Sequence, residues 1–123
     1  MSENLKRHAI ELVKDVKEGE IVKETYLTPA FLPMKVVYEA IEVYAEIEKN
    51  ETSEGTNPKK EIELYTRVMN FVANEVYGKQ FTPDDIFNGL HAPDVNRVLF
   101  DQVLFVARGV QNDFTKKYLA KKR

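Results

Sequence analysis

Few side chains of this sequence are suited to chemistry, and the best candidates are two histidines and a pair of adjacent aspartates. His8 and His91 are the only histidines and lie far apart in the chain. His91 has the chemistry of a general base or a metal ligand, although a single histidine of this kind is more often a loop or surface residue. Asp84 and Asp85 resemble half of a metal or acid–base site, but neighbouring side chains on a helix point about 100° apart and do not converge. We therefore expect these carboxylates to stabilise the first turn of a helix.

The motifs of common enzymes are missing. The chain has no cysteine, which excludes disulfides, thiolate metal sites and cysteine nucleophiles. It contains no glycine-rich phosphate loop and no Gly-x-Ser-x-Gly motif, and residues 84–89 lack the alternating oxygen ligands of a calcium loop. We therefore predict no catalytic residue, no metal and no cofactor, and a protein that is not an enzyme.

The composition is that of one globular domain spanning residues 1–123. Hydrophobic residues make up 43% of the chain and charged residues 31%. No apolar run approaches the roughly 18 residues of a membrane span, so we expect no membrane association. The charged N-terminus does not resemble a secretory signal, and the lack of cysteine agrees with a cytoplasmic protein.

Charge is unevenly distributed along the chain. The last eight residues, KKYLAKKR, contain five basic groups and no acid, whereas the whole chain has a net charge of −2. The remainder is therefore acidic and repels nucleic acid phosphates, so we do not expect nucleic acid as a partner. The tail, residues 110–123, has enough positive charge to touch nucleic acid or an acidic protein, but we interpret it as a solvated, frayed terminus.

The N-terminal half predicts a hairpin, a connector and a helix. Residues 5–28 fit either an amphipathic helix or two strands around Gly19, and the β-branched second run favours a β-hairpin. Two prolines then mark a connector, and a regular apolar stripe predicts a helix over residues 34–48. Residues 49–60 contain no large apolar side chain, which predicts a flexible linker.

The segment 61–109 predicts a helical unit. A helix over 61–77 should end at Gly78, in the left-handed conformation. Thr82 is expected to be the N-cap of a short helix that ends at Gly89. So short a helix is stable only when it packs as an apolar wedge against its neighbours. A last helix follows over residues 93–108 and stops at Gly109. The predicted fold is thus mainly α with a short N-terminal β-hairpin.

A DNA-binding helix–turn–helix is disfavoured, because Asp84 and Asp85 would meet the phosphates.

The C-terminal half has more aromatic and apolar side chains than a small helical core easily buries. The last helix is apolar over much of its circumference, which indicates burial on two sides or an exposed strip that binds a partner. A groove for a helix of another chain would account for the excess. The residues that we expect to contact the partner are Phe87, Leu90, Phe100, Leu104 and Phe105.

The run FVANEVYGKQFTPDDIFNGL, residues 71–90, resembles the signature of tail assembly chaperones from long-tailed bacteriophages of Gram-positive hosts. The likeness is strongest over this run and extends more weakly over about residues 20–109. The matching positions are Phe71, Val72, Tyr77, Gly78, Gln80, Phe81, Thr82, Gly89 and Leu90.

The resemblance implies a non-enzymatic chaperone of the host cytoplasm. Such a protein binds the long helical tape measure protein, keeps it soluble, helps to recruit tail tube subunits and is absent from the finished virion. Self-association is a further expectation. Many members of this family have a longer, frameshifted form, and the lysine pairs at 116–117 and 121–122 can be encoded by slippery codons. The alternatives are a structural head–tail or tail completion protein and a small DNA-binding regulatory module.

Overall fold

The computed structural model describes residues 5–52 and 57–121. These residues form an N-terminal antiparallel hairpin followed by a set of helices, which confirms the predicted fold class. The strands are β1 (Ala9–Lys17) and β2 (Glu20–Leu27). The helices are α1 (Lys35–Thr52), α2 (Pro58–Phe71), α3 (Pro83–Gly89), α4 (Val95–Arg108) and α5 (Asp113–Lys121).

The hairpin turns on Glu18 and Gly19, whose φ angles are 50° and 83°. Two successive positive φ angles match the right-handed twist of the flanking strands, which is why a glycine is needed there. The pairing runs from Ala9 opposite Leu27 to Lys17 opposite Glu20, with one irregularity between Val13 and Asp15. Only the end of the hairpin away from the turn enters the core, since the residues beside the turn are exposed.

The predicted linker over residues 49–60 is too long. Helix α1 continues to Thr52, and α2 begins at Pro58, with the Asn57 side chain accepting a hydrogen bond from the Lys59 N–H at 3.0 Å. Polar residues do not stop a helix, because each added residue of a formed helix gains one hydrogen bond without a new nucleation cost. Residues 53–56 of the predicted linker lie outside the described residues.

The predicted helix end at Gly78 and the predicted start of α3 after Thr82 are confirmed, and the structure adds a π-helical turn before Gly78. The chain passes from α2 into a π-helical turn, Val72–Val76, in which the Tyr77 N–H donates to the Val72 carbonyl at 3.0 Å. Gly78 has a φ of 62° and ends this helical segment, as predicted. The Thr82 hydroxyl then accepts from the Asp85 N–H at 3.1 Å, and the Asp85 carboxylate accepts from the Thr82 N–H at 2.8 Å. This reciprocal capping box fixes the start of α3.

The prediction of a frayed basic tail over residues 110–123 is wrong for most of the segment. Gly109 ends α4 with a φ of 72°, as predicted, but the chain then forms α5. The buried Thr115 hydroxyl accepts a hydrogen bond from the Ala9 N–H at 3.0 Å, and Gln111 donates to the Arg7 carbonyl at 2.7 Å. These bonds attach the segment to the outer edge of β1, so its lysines lie on the outside of a docked helix. Residues 122–123 lie outside the described residues.

The core lies where the hairpin meets α1, α2 and α4. Tyr77 is fully buried at its centre, and its hydroxyl bonds to the side chain of Gln102, which in turn donates to the Ala9 carbonyl at 3.3 Å. This chain of hydrogen bonds satisfies the buried side chains of Tyr77 and Gln102 and links the helical layer to the hairpin. The side chains of the core cluster are Ile10, Leu12, Val36, Ala40, Val43, Val68, Phe71, Val72, Ala73, Val76, Tyr77, Phe81, Ile86, Leu99 and Val103.

Candidate functional site

An apolar groove lies between α2 and α3 and continues over the start of α4. Its volume is about 370 Å³. Two of the predicted contact residues, Phe87 and Leu90, line it, so the structure brings these two together on one surface. We call this surface the α2–α3 groove, and its lining residues are Ile62, Tyr65, Thr66, Met69, Ile86, Phe87, Leu90, Ala92, Val95 and Leu99.

The short helix α3 positions Phe87 at the groove. Its capping box fixes the helix start, and Ile86 is buried in the core. Because adjacent helical residues point about 100° apart, anchoring Ile86 turns Phe87 outward. The Phe87 side chain is accordingly 71% exposed. The groove therefore presents a large aromatic ring that contributes little to the fold of its own chain.

The other end of α3 is held by a close approach to the hairpin. A methyl group added at Gly89 would lie 2.9 Å from the carbonyl oxygen of Val13, closer than side chains approach backbone atoms. Glycine at this position thus lets α3 lie directly against β1. The wedge predicted from the sequence is a packed element, and its packing sets the width of the groove.

The remaining predicted contact residues do not lie on the same surface. Phe100 packs against Tyr44 with ring centroids 5.7 Å apart and lines a smaller recess between α1, α2 and α4. Leu104 is half-buried. Phe105 is buried and stacks on His8 at 4.7 Å, so its assignment to partner contact is corrected to a core role. Helix α4 is buried on two sides, which is one of the two arrangements that its apolar circumference allowed.

Three groove residues on α2, Ile62, Tyr65 and Met69, were not among the predicted contact residues. The structure exposes Ile62 and only partly buries the other two. Together with the buried residues Val68 and Phe71, they make the apolar face of α2 wider than one neighbouring helix covers. That width was the signal in the sequence, since an over-wide apolar face predicts a second contact surface.

The titratable groups singled out in the sequence do not converge. His91 is exposed, and the Asp85 carboxylate is engaged in the capping box, where the bond from the Thr82 N–H lowers its pKa. His8 is completely buried, and burial lowers its pKa to about 4. Among residues 5–52 and 57–121, no three acidic or histidine side chains are grouped so that they could hold a metal ion. No helix of the same residues is both long and apolar enough to cross a membrane.

A known protein family matches nearly the whole of this sequence. The model of a family described as phage tail chaperone protein matches residues 4–123. The chain belongs to the phage tail chaperone protein family. No curated protein and no solved structure matches it.

In this tail chaperone, the run that carries the resemblance builds the turn between α2 and α3. Phe71, Tyr77 and Phe81 of that run are buried. The Gln80 side chain donates to the Leu27 carbonyl at 2.7 Å and to the Tyr77 carbonyl at 2.9 Å, which joins the turn to the end of β2. The signature is therefore structural: it places α3 against the hairpin and thereby forms one wall of the groove.

Proposed function

We propose that the chain is a non-enzymatic tail assembly chaperone that acts in the host cytoplasm. It binds the tape measure protein, keeps it soluble and helps to recruit tail tube subunits. Membership of the tail chaperone family supports the general role. The observation that supports client binding is the α2–α3 groove, with its exposed Phe87 ring.

The groove suits one apolar face of a client helix. Such a helix inserts side chains at i, i+3, i+4 and i+7 into a hydrophobic groove, whereas its backbone is already satisfied by its own hydrogen bonds. Covering the exposed part of one aromatic ring contributes roughly 2–4 kcal/mol. A few such contacts, reduced by the entropy cost of association, hold a client reversibly. Reversibility is required, because the chaperone must be displaced when the tube forms.

Co-expression with the tape measure protein of the same phage tests this proposal. Phe87→Asp should lower the soluble fraction of the tape measure protein and its co-purification with the chaperone. Phe31→Asp is the matched control, since Phe31 is 67% exposed, against 71% for Phe87, and does not line the groove. Circular dichroism and thermal unfolding establish that both variants are folded. Equal client solubility with the two variants contradicts the use of the groove.

Two further experiments address the other parts of the proposal. Absence of the chain from purified virions is expected of a chaperone, whereas its presence in stoichiometric amounts favours a structural head–tail or tail completion protein. Retention of tail tube subunits on the immobilised chaperone–client complex, but not on the chaperone with a Phe87→Asp substitution, tests recruitment.

A longer, frameshifted form is also part of the proposal. Its slippery site would lie at the codons of Lys116-Lys117 or Lys121-Lys122. The nucleotide sequence decides this, because the site needs a slippery heptamer and an overlapping downstream reading frame.

A further inference from the structure

Helix α1 has two apolar faces. The inward face packs into the core through Val36, Ala40 and Val43. The face opposite the core is also apolar, although nothing in the described part of the chain covers it: Tyr38 is 65% exposed and Ile41 46%. Met34, just before the helix, and Ala45 continue this face and are exposed as well. We call the outward set Met34, Tyr38, Ile41 and Ala45 the α1 stripe.

The spacing of the stripe is that of a helix–helix seam. Its members are separated by four, three and four residues, which is the a/d pattern of a coiled coil. Single exposed apolar residues are common on protein surfaces, but a run in this register on the face farthest from the core forms a continuous line along α1. The stripe is therefore a ready surface for one more helix.

The side chains of the stripe complement a second copy of themselves. We propose that two copies of the chain pair antiparallel through α1. A two-fold axis between Tyr38 and Ile41 sets Tyr38 of each copy against Ile41 of the other. The same axis sets Met34 against Ala45, so that a large side chain faces a small one at both ends. A parallel pair would instead set identical side chains against each other and leave space at Ala45.

The charges beside the stripe favour the same antiparallel arrangement. Lys35 and Glu42 lie on one flank, one heptad apart. In the antiparallel pair, Lys35 of each copy comes within reach of Glu42 of the other, which gives two opposite-charge pairs. Glu42 lies 3.6 Å from the Arg67 guanidinium in its own chain, but Arg67 has a much closer partner in Glu46 at 2.6 Å. Glu42 is therefore able to accept a second cation.

The small area of the α1–α1 interface makes the dimer weak. One helix pair about three turns long lies at the small end of specific interfaces, so the dimer should dissociate at low concentration. No member of the stripe lines the α2–α3 groove. Pairing therefore leaves the groove of each copy accessible, and the inference does not depend on which client the groove holds.

Sedimentation velocity of the full chain over a wide concentration range tests the dimer. A concentration-dependent monomer–dimer equilibrium is expected. The double variant Tyr38→Glu/Ile41→Glu should remain monomeric throughout, whereas Ile21→Glu, which changes an exposed isoleucine outside both the stripe and the groove, should dimerise normally. All three substituted residues are exposed, and unchanged thermal unfolding establishes that the variants fold. A wild-type chain that stays monomeric, or a dimer that survives the double substitution, overturns the proposal.

Single cysteines test the orientation, since the chain has none of its own. Antiparallel pairing brings position 34 of one copy against position 45 of the other. An equimolar mixture of Met34→Cys and Ala45→Cys chains should therefore form a mixed disulfide in preference to either homodimer. In that arrangement two copies of position 34 lie about 16 Å apart, beyond the reach of a disulfide. Preferential coupling of two Met34→Cys chains to each other indicates a parallel pair and overturns the proposal.

Charge reversal gives an independent check on the same dimer. Lys35→Glu and Glu42→Lys should each weaken dimerisation, and the double reversal in one chain should restore it.

A loss of tape measure co-purification on substitution of Tyr38 and Ile41, with a monomeric wild type, would assign the stripe to the client and contradict pairing of two copies.

Discussion

The burial of His8 predicts that the protein loses stability over a defined range of pH. The imidazole is completely buried against Phe105, and neither ring nitrogen has a hydrogen-bond partner among the residues that the structure describes. A neutral imidazole tolerates this site far better than an imidazolium, whose charge would be removed from water without compensation. Burial accordingly lowers the pKa of His8 from 6.5 to about 4.

The direction of the effect follows from proton linkage. Because the pKa of His8 is lower in the folded than in the unfolded protein, the unfolded chain takes up the proton first as the pH falls. The contribution of neutral His8 to stability is complete above about pH 6.5 and decreases until the folded protein is protonated near pH 4. The difference between these two pKa values corresponds to about 3 kcal/mol of folding free energy. That is a large share of the roughly 5–15 kcal/mol by which a typical domain is stable.

Urea unfolding at a series of pH values between about 7 and 4 measures this contribution. Other groups also titrate in that range, so the informative quantity is the difference between the wild type and His8→Leu, which is close in volume and carries no charge. That difference should change by about 3 kcal/mol in favour of the variant on acidification. Parallel curves for the wild type and His8→Leu would mean that folding does not suppress protonation of His8.

Substitutions at three further positions test how the groove and the C-terminal helix are held, each by urea unfolding at neutral pH. Gly89→Ala should cost about 1–3 kcal/mol, because the new methyl group meets the carbonyl of Val13; a fully stable variant would show that α3 does not lie against β1. Thr82→Ala should cost about 1 kcal/mol through loss of the capping box, and no loss would mean that packing alone fixes the start of α3. Thr115→Val should cost about 1–3 kcal/mol, since it leaves the buried N–H of Ala9 without an acceptor, and Thr115→Ser should restore most of that loss. Equal stability of the two Thr115 variants would contradict the docking of α5.

Much of the fold could be predicted from local signals. The glycine turn of the hairpin, the left-handed Gly78 and Gly109 and the capped start of α3 all follow from residue types with strong backbone preferences. These preferences act within a few residues, so they are visible in one sequence without an alignment.

Helix α5 was missed because its signal is tertiary. Its exposed residues include three lysines, and its anchor is the buried hydroxyl of Thr115, which bonds to a strand residue 106 positions earlier in the chain. One local cue existed: the Asn112 side chain accepts from the Thr115 N–H at 2.8 Å, as an N-cap does. The π-helical turn after α2 had no comparable cue, since its residues fit ordinary helical spacing equally well.

The site could be predicted only in part, for a related reason. Spacing shows that α2 and α4 have broad apolar faces, but the neighbours of each face depend on how the helices pack. Phe87 and Phe105 look alike in sequence, yet one is exposed in the groove and the other stacks on His8 in the core. Distinguishing them requires the position of α3, which depends on the close contact of Gly89 with β1.

A photo-crosslinking residue at position 87 shows whether the client lies in the α2–α3 groove. When the chaperone is co-expressed with the tape measure protein, irradiation should join the two chains through position 87. A crosslinker at position 21, which is exposed at the hairpin tip, should give little or no such product. Efficient crosslinking from position 21 with none from position 87 would place the client outside the groove.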